Sequence, residues 1–169
     1  MNEINLKKII EDQIDTFFYA GNLAIQLRNK GLTKEIKPDG TPVSNGDLEI
    51  NKIVTKKILE LTPDLPIVSE ESSQNKSTKD LANFWLIDPI DGTYDYINNL
   101  DEFTINAGLI LNKKPIAGLI YAPAKKRMFY SYGNTFAFEL IDGKPVKLNK
   151  KNNFDKNRIK FVNFPSVSS

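Results

Sequence analysis

The apolar residues of this chain change period once, near Pro66, and that change decides what the chain can fold into. Before it they recur at helical spacing. Ile10, Ile14, Phe17, Phe18, Ala24 and Ile25, with polar residues between them, predict one long helix that stops at Gly31. Residues 37–42, Lys-Pro-Asp-Gly-Thr-Pro, read as turns. A second helix is expected from Ser44 or Asn45, with Asp47 in its first turn. Its buried stripe would be Ile50, Val54, Ile58 and Leu61, and Pro63 would end it. Past Pro66 the signal turns to strands. Residues 67–69 form a short one, and residues 84–88 one that is apolar on both faces and therefore expected at the sheet centre. Residues 74–80 between them are polar and read as a loop. Residues 103–111 and 116–121 pair through Asn112-Lys-Lys, residues 128–132 and 135–140 through Gly133-Asn134, and Asp142-Gly143 turns into residues 146–148. Helices first and strands after predict an α+β fold, two N-terminal helices packed on a mainly antiparallel sheet. Residues 158–164 read as one more strand. A strand with five residues after it and no covering element is expected to belong to an incomplete fold.

Composition narrows the chemistry. The 169 residues suit one domain and contain neither cysteine nor histidine. Disulfides, thiolate nucleophiles, zinc–thiolate centres and imidazole bases are thereby excluded. What remains is carboxylates, hydroxyls, lysine and arginine, backbone groups, and hard cations held by oxygen. Charge is uneven: residues 1–112 carry 11 Lys/Arg against 18 Asp/Glu, residues 113–169 carry 12 against 3. A basic second part suits a phosphorylated ligand, but a solvated lysine-rich surface is the simpler reading and no nucleic acid is expected. The tract Lys125-Lys-Arg127 reads likewise as a charged hairpin turn. No apolar run approaches the roughly 20 residues that span a bilayer, so no integral membrane segment is expected. Residues 1–12 turn acidic where a signal peptide would be apolar, which suggests a cytoplasmic chain. No signal for an oligomeric state stands out.

The chemistry concentrates in Trp85-Leu-Ile-Asp-Pro-Ile-Asp-Gly-Thr-Tyr-Asp95. A buried-type strand ends at Asp88, Pro89 turns the chain, Asp91-Gly92 permits a tight turn, and Thr93 opens a short helix. This brings Asp88 and Asp91 to one point with the Ile90 carbonyl between them, a start on a hard-metal site. The N–H groups of Gly92 and Thr93 form an anion cradle beside it. Metal plus cradle suggests phosphate-ester chemistry. Asp-Pro and Asp-Gly are also ordinary turn dipeptides. Glu70-Glu71, after the strand 67–69, offers further ligands or an acidic loop start, and Asp47 and Thr93 are normal helix-start residues as well.

The order and spacing of these pieces carry a resemblance. Asp88-Pro-Ile-Asp-Gly-Thr93, preceded by Trp85-Leu-Ile, by Ser69-Glu-Glu71 and by Asp39-Gly-Thr-Pro-Val-Ser-Asn-Gly-Asp47, resembles the inositol monophosphatase superfamily of magnesium-dependent, lithium-sensitive phosphomonoesterases. Residues 61–71, Glu102-Phe-Thr-Ile-Asn106, residues 114–123, and Asp95 before Tyr96 are more similar to its bacterial 3′(2′),5′-bisphosphate nucleotidase branch. The resemblance runs from about residue 34 to 148 and implies the N-terminal part of an α/β layered sandwich. Residues 1–169 would be its metal- and phosphate-binding domain, with the C-terminal domain absent. That second half carries a Trp-Asp motif in the family, whereas the one tryptophan here is Trp85. By the same resemblance Glu70, Asp88, the Ile90 carbonyl and Asp91 bind Mg²⁺. Gly92 and Thr93 hold the scissile phosphate, with Glu70, Ile90 and Asp91 also against the substrate. Asp47 and Thr93 pair to orient and activate the attacking water. The implied substrate is adenosine 3′,5′-bisphosphate, a by-product of sulfate activation and reduction, cut to AMP and phosphate. Inositol monophosphate, and a unit that binds metal and phosphate without turnover, are the alternatives.

Overall fold

The computed structural model describes residues 3–71, 81–133 and 135–148. The expected loop 74–80, the expected strand 158–164 and Asn134 lie outside them.

The first helix is two. α1 spans Glu3–Glu11 and α2 Ile14–Lys30. Between them the Gln13 N–H bonds the Ile10 carbonyl at 3.1 Å, and the Gln13 amide Nε2 donates to the Ile9 carbonyl at 2.9 Å. A side chain thus closes the last turn of α1, and Gln13 is buried in doing so. The apolar face runs on through Leu6, Ile10, Phe17, Ala20 and Ala24, so periodicity alone reads a single helix. α2 ends as expected at Gly31, at φ 96°. α3, Asn45–Leu61, buries Ile50, Val54 and Ile58. Leu61 is only half-buried; the next position, Thr62, is buried and accepts from the Trp85 indole N–H at 3.0 Å.

A seven-stranded sheet runs in chain order: β3 (Ile67–Ser69), β4 (Phe84–Asp91), β5 (Thr104–Leu111), β6 (Lys114–Ala122), β7 (Arg127–Tyr132), β8 (Phe136–Ile141) and β9 (Lys144–Lys147). Among the described strands only β3 and β4 pair in parallel. Side chains alternate across it. Trp85, Ile87, Ile105, Leu109, Leu119, Tyr121, Met128 and Tyr130 point at the helices and form the core. β4 was expected at the centre and stands second from the edge. Its apolar run reports two apolar faces, not rank in the sheet. Helices cover one face, and Leu86 on the other is 48% exposed.

Three elements are shorter than any periodic signal. β1 (Lys34–Ile36) and β2 (Pro42–Ser44) make a small hairpin where the sequence reads only turns. α4, Thr93–Ile97, is the short helix expected after the Asp91-Gly92 turn. No described helix is long and apolar enough to cross a membrane.

Candidate metal and phosphate site

Four chain segments meet at the β4–α4 corner. The start of α3 supplies Asp47. Ser44 caps this helix: its backbone N–H and hydroxyl both reach Asp47 Oδ2, at 2.8 and 2.5 Å, while Ser44 Oγ accepts from the Gly46 N–H. That is a capping box, and it leaves Asp47 Oδ1 free to face elsewhere. Thr93 Oγ1 lies 3.1 Å from that Oδ1 and 3.0 Å from the Ile90 carbonyl oxygen. A hydroxyl has one proton for these two acceptors, so it serves one or shares between them. Residues 46 positions apart in sequence are thereby joined, and the Ile90 carbonyl is turned toward the same point.

The turn itself needs glycine. Gly92 sits at φ 92°, and a Cβ there would come within 2.6 Å of the Glu102 carbonyl oxygen. The Asn99–Glu102 loop therefore lies directly against the turn. Arg28 of α2 holds that loop: it donates to the Leu100 carbonyl at 2.6 Å and pairs with Asp101 at 3.0 Å. Tyr96 of α4 is buried and donates to the Ala24 carbonyl at 2.7 Å.

Asp88 and Asp91 flank a register shift in the β4–β5 pairing, a stretch that includes Pro89, which has no N–H for the ladder. Burial pushes the Asp88 carboxyl up to about 7. The charges of Glu70 and Asp91 add to that effect, as do a hydrogen bond with Glu70 and the charge of Asp47. Glu70 thus reaches Asp88 from the end of β3. Lys37, on the β1–β2 hairpin, lies 2.7 Å from Glu71 and 3.4 Å from Glu70. Burial alone would lower its pKa, but the bond and charge of Glu71 outweigh this and raise it. Glu71 is itself pushed up, because its burial exceeds the effect of Lys37; the pair holds Lys37 charged more firmly than it holds Glu71.

Every residue expected at the site is therefore at one corner: Asp47, Glu70, Asp88, Ile90, Asp91, Gly92 and Thr93. Glu71 differs from them, being turned to Lys37. Among the described residues no three acidic side chains form a ready metal shell. The donors still fit a hard divalent cation. They are all oxygens, the carboxylates among them repel one another, and the buried Asp88 Oδ1 has no hydrogen-bond partner among the described residues. Asn106 escaped the sequence reading as a site residue. Its Nδ2 donates to Asp91 Oδ2 at 3.0 Å. In the alternation Thr104-Ile-Asn-Ala it looks like any polar residue on the outer face of a strand. Arg28 and Lys37 were equally silent, because their partners lie 33 or more positions away.

The inositol monophosphatase family model matches residues 5–165. The 3′(2′),5′-bisphosphate nucleotidase CysQ of Aggregatibacter actinomycetemcomitans is 32% identical over 142 residues, 83% of this chain and 53% of that protein. The chain spans about half the length of such curated relatives. Among solved structures, CysQ of Bacteroides thetaiotaomicron superposes with a TM-score of 0.58 at 23% identity, over 84% of this chain and 54% of that one. An IMPase/NADP phosphatase complexed with Mg²⁺ and phosphate gives 0.61 at 24% identity, over 70% and 45%. The helices-on-antiparallel-sheet fold and the sequence match agree, and the chain belongs to the inositol monophosphatase family.

Proposed function

We propose that this chain is the metal- and phosphate-binding part of a Mg²⁺-dependent phosphomonoesterase. Its substrate is adenosine 3′,5′-bisphosphate, hydrolysed at the 3′ position to AMP and phosphate. The observation that carries the reading is the Thr93–Asp47 contact at 3.1 Å, set beside the buried Asp88 Oδ1 to which no described residue donates. The CysQ relatives support the substrate, and the neighbour holding Mg²⁺ and phosphate supports the metal.

Asp88, Asp91, Glu70 and the Ile90 carbonyl would hold the cation. When bound it neutralises phosphate charge and lowers the pKa of the attacking water. The backbone N–H groups of Gly92 and Thr93 bind the phosphate oxygens. With its proton committed to Asp47, the Thr93 hydroxyl accepts from the water and aims its oxygen at phosphorus. As the new P–O bond forms, the water proton passes through Thr93 to Asp47 Oδ1. The ester P–O bond breaks in line, and the departing 3′ oxygen takes up a proton from solvent water.

The test is phosphate release from adenosine 3′,5′-bisphosphate, with and without Mg²⁺, and with inositol 1-phosphate as the rival substrate. Release that needs Mg²⁺, falls with Li⁺ and prefers the nucleotide is expected. Preference for the inositol ester overturns the substrate. The open arrangement of the described carboxylates favours a second reading, a unit that binds Mg²⁺ and phosphate without turnover. Phosphate binding without release would select it.

A further inference from the structure

On β5, Asn106 stands directly opposite Asp88 of β4, while its amide N–H reaches past the register shift to Asp91. One side chain therefore touches the surroundings of both strand carboxylates. The direction of its amide is set by chemistry: only the nitrogen end donates, and Asp91 only accepts. The carbonyl Oδ1 is consequently the other end. It is buried and, among the described residues, has no hydrogen-bond partner; the same holds for Asp88 Oδ1 across the ladder. Both residues border the same cavity of about 490 Å³ on the sheet face opposite the described helices. The rest of that lining is mostly apolar, including Leu86, Gly108, Ile120 and Phe129; its two hydroxyl residues, Tyr130 and Ser131, stand on β7, and neither donates to these oxygens. A buried carbonyl with no donor destabilises the protein that carries it, and an apolar side chain would fit such a lining better.

We propose that Asn106 is a positioning residue for the divalent cation. Its N–H fixes Asp91, and its Oδ1, left without a protein donor, would accept from a water that the ion retains once binding admits one. The inference rests on the metal reading above. It assigns Asn106 a function at odds with stability: the amide weakens the metal-free protein and strengthens the metal-bound one.

That opposition is the test, made by calorimetric Mg²⁺ titration at pH 8 together with thermal melts of the metal-free chain. Asn106→Leu removes both ends of the amide. It should leave the metal-free Tm unchanged or raised while weakening Mg²⁺ binding about tenfold or more. Asn106→Asp keeps an acceptor but sets a charge against Asp91 and Asp88. It should lower the metal-free Tm and keep Mg²⁺ affinity within about threefold of the parent. A purely structural asparagine predicts instead that affinity follows Tm in both variants, and that result overturns the proposal. So does an Asn106→Leu chain that binds Mg²⁺ as the parent does. A parent chain that takes up no Mg²⁺ overturns the metal reading itself and the inference with it.

Discussion

At the scale of the residue, Asp47 does two jobs with two oxygens. Oδ2 closes the cap of α3, and Oδ1 faces Thr93. The ordinary reading of an acid in a first helical turn and the functional reading are both right, because the cap fixes the rotamer that aims the second oxygen. Removing the Thr93 hydroxyl should therefore separate chemistry from binding. Thr93→Val is expected to slow phosphate release by about 100-fold, the usual scale for a lost proton-transfer group. Its Mg²⁺ affinity should stay within about twofold, since no metal ligand is removed; steady-state kinetics with a calorimetric titration checks both. Asp47→Asn should lose activity and also about 1 kcal/mol of stability, because the cap weakens with it. Gly92→Ala meets a different obstacle, a positive φ together with the Glu102 carbonyl at 2.6 Å. We expect about 1–3 kcal/mol of destabilisation in a denaturant melt. A fall below about 0.5 kcal/mol would mean that the loop yields easily and the turn is not rigidly backed.

Elements differ in how much of themselves they write into the sequence. α3 is legible from Ser44 to Ile58 because its cap and its apolar stripe are local signals. The β5–β6 and β7–β8 ladders are legible because alternation and turn residues are local too. The break at Gln13 is not, since its cause is a side chain bonding the Ile9 carbonyl beneath a continuous apolar face. The β1–β2 hairpin has three residues per strand, too few for a period, so its role in presenting Lys37 to Glu71 emerges only in three dimensions. At the site the same division holds. Asp88, Asp91 and Gly92 announce themselves by their spacing, whereas Arg28, Tyr96 and Asn106 act through partners on other elements. Tyr96 is the element-scale case to test: it fills the space over Gly46, where a Cβ would lie 2.5 Å from its hydroxyl, and it ties α4 to α2. Tyr96→Phe should cost about 1 kcal/mol for the lost bond to Ala24. It should also speed amide exchange within α4 more than within β6; uniform acceleration would show that α4 is not held through this contact.

Over the whole molecule the helices shield one face of the sheet, and the crowded carboxylates sit at the rim of the other. Leu86 and Ile120 on that bare face are each nearly half exposed. The metal-free protein is thus strained electrostatically at one corner, and the strain has a sign that pH can read. The Asp88 carboxyl is raised from 3.8 to about 7 in the folded state, by burial first and by Glu70 and Asp91 next. Between those values the folded chain keeps a proton that the unfolded chain has released. Stability contributed by this group is complete below about pH 4, declines as pH rises toward 7, and is level above it. Glu71 is shifted in the same direction and adds to the decline. Lys37, raised from 10.5, contributes stability that is lost only in more alkaline solution, outside this window. The Tm of the metal-free chain should therefore fall between pH 5 and 7, over and above the background from its other groups. Asp88→Asn should flatten that fall. A divalent cation competes with the same proton. Mg²⁺ should raise the Tm most above pH 7, and below pH 7 its binding should release up to about one proton, seen as a binding enthalpy that changes with the ionisation heat of the buffer. If the Tm of the parent and of Asp88→Asn decline in parallel across pH 5–7, the carboxylate at the end of β4 is not the group that couples this fold to its cation.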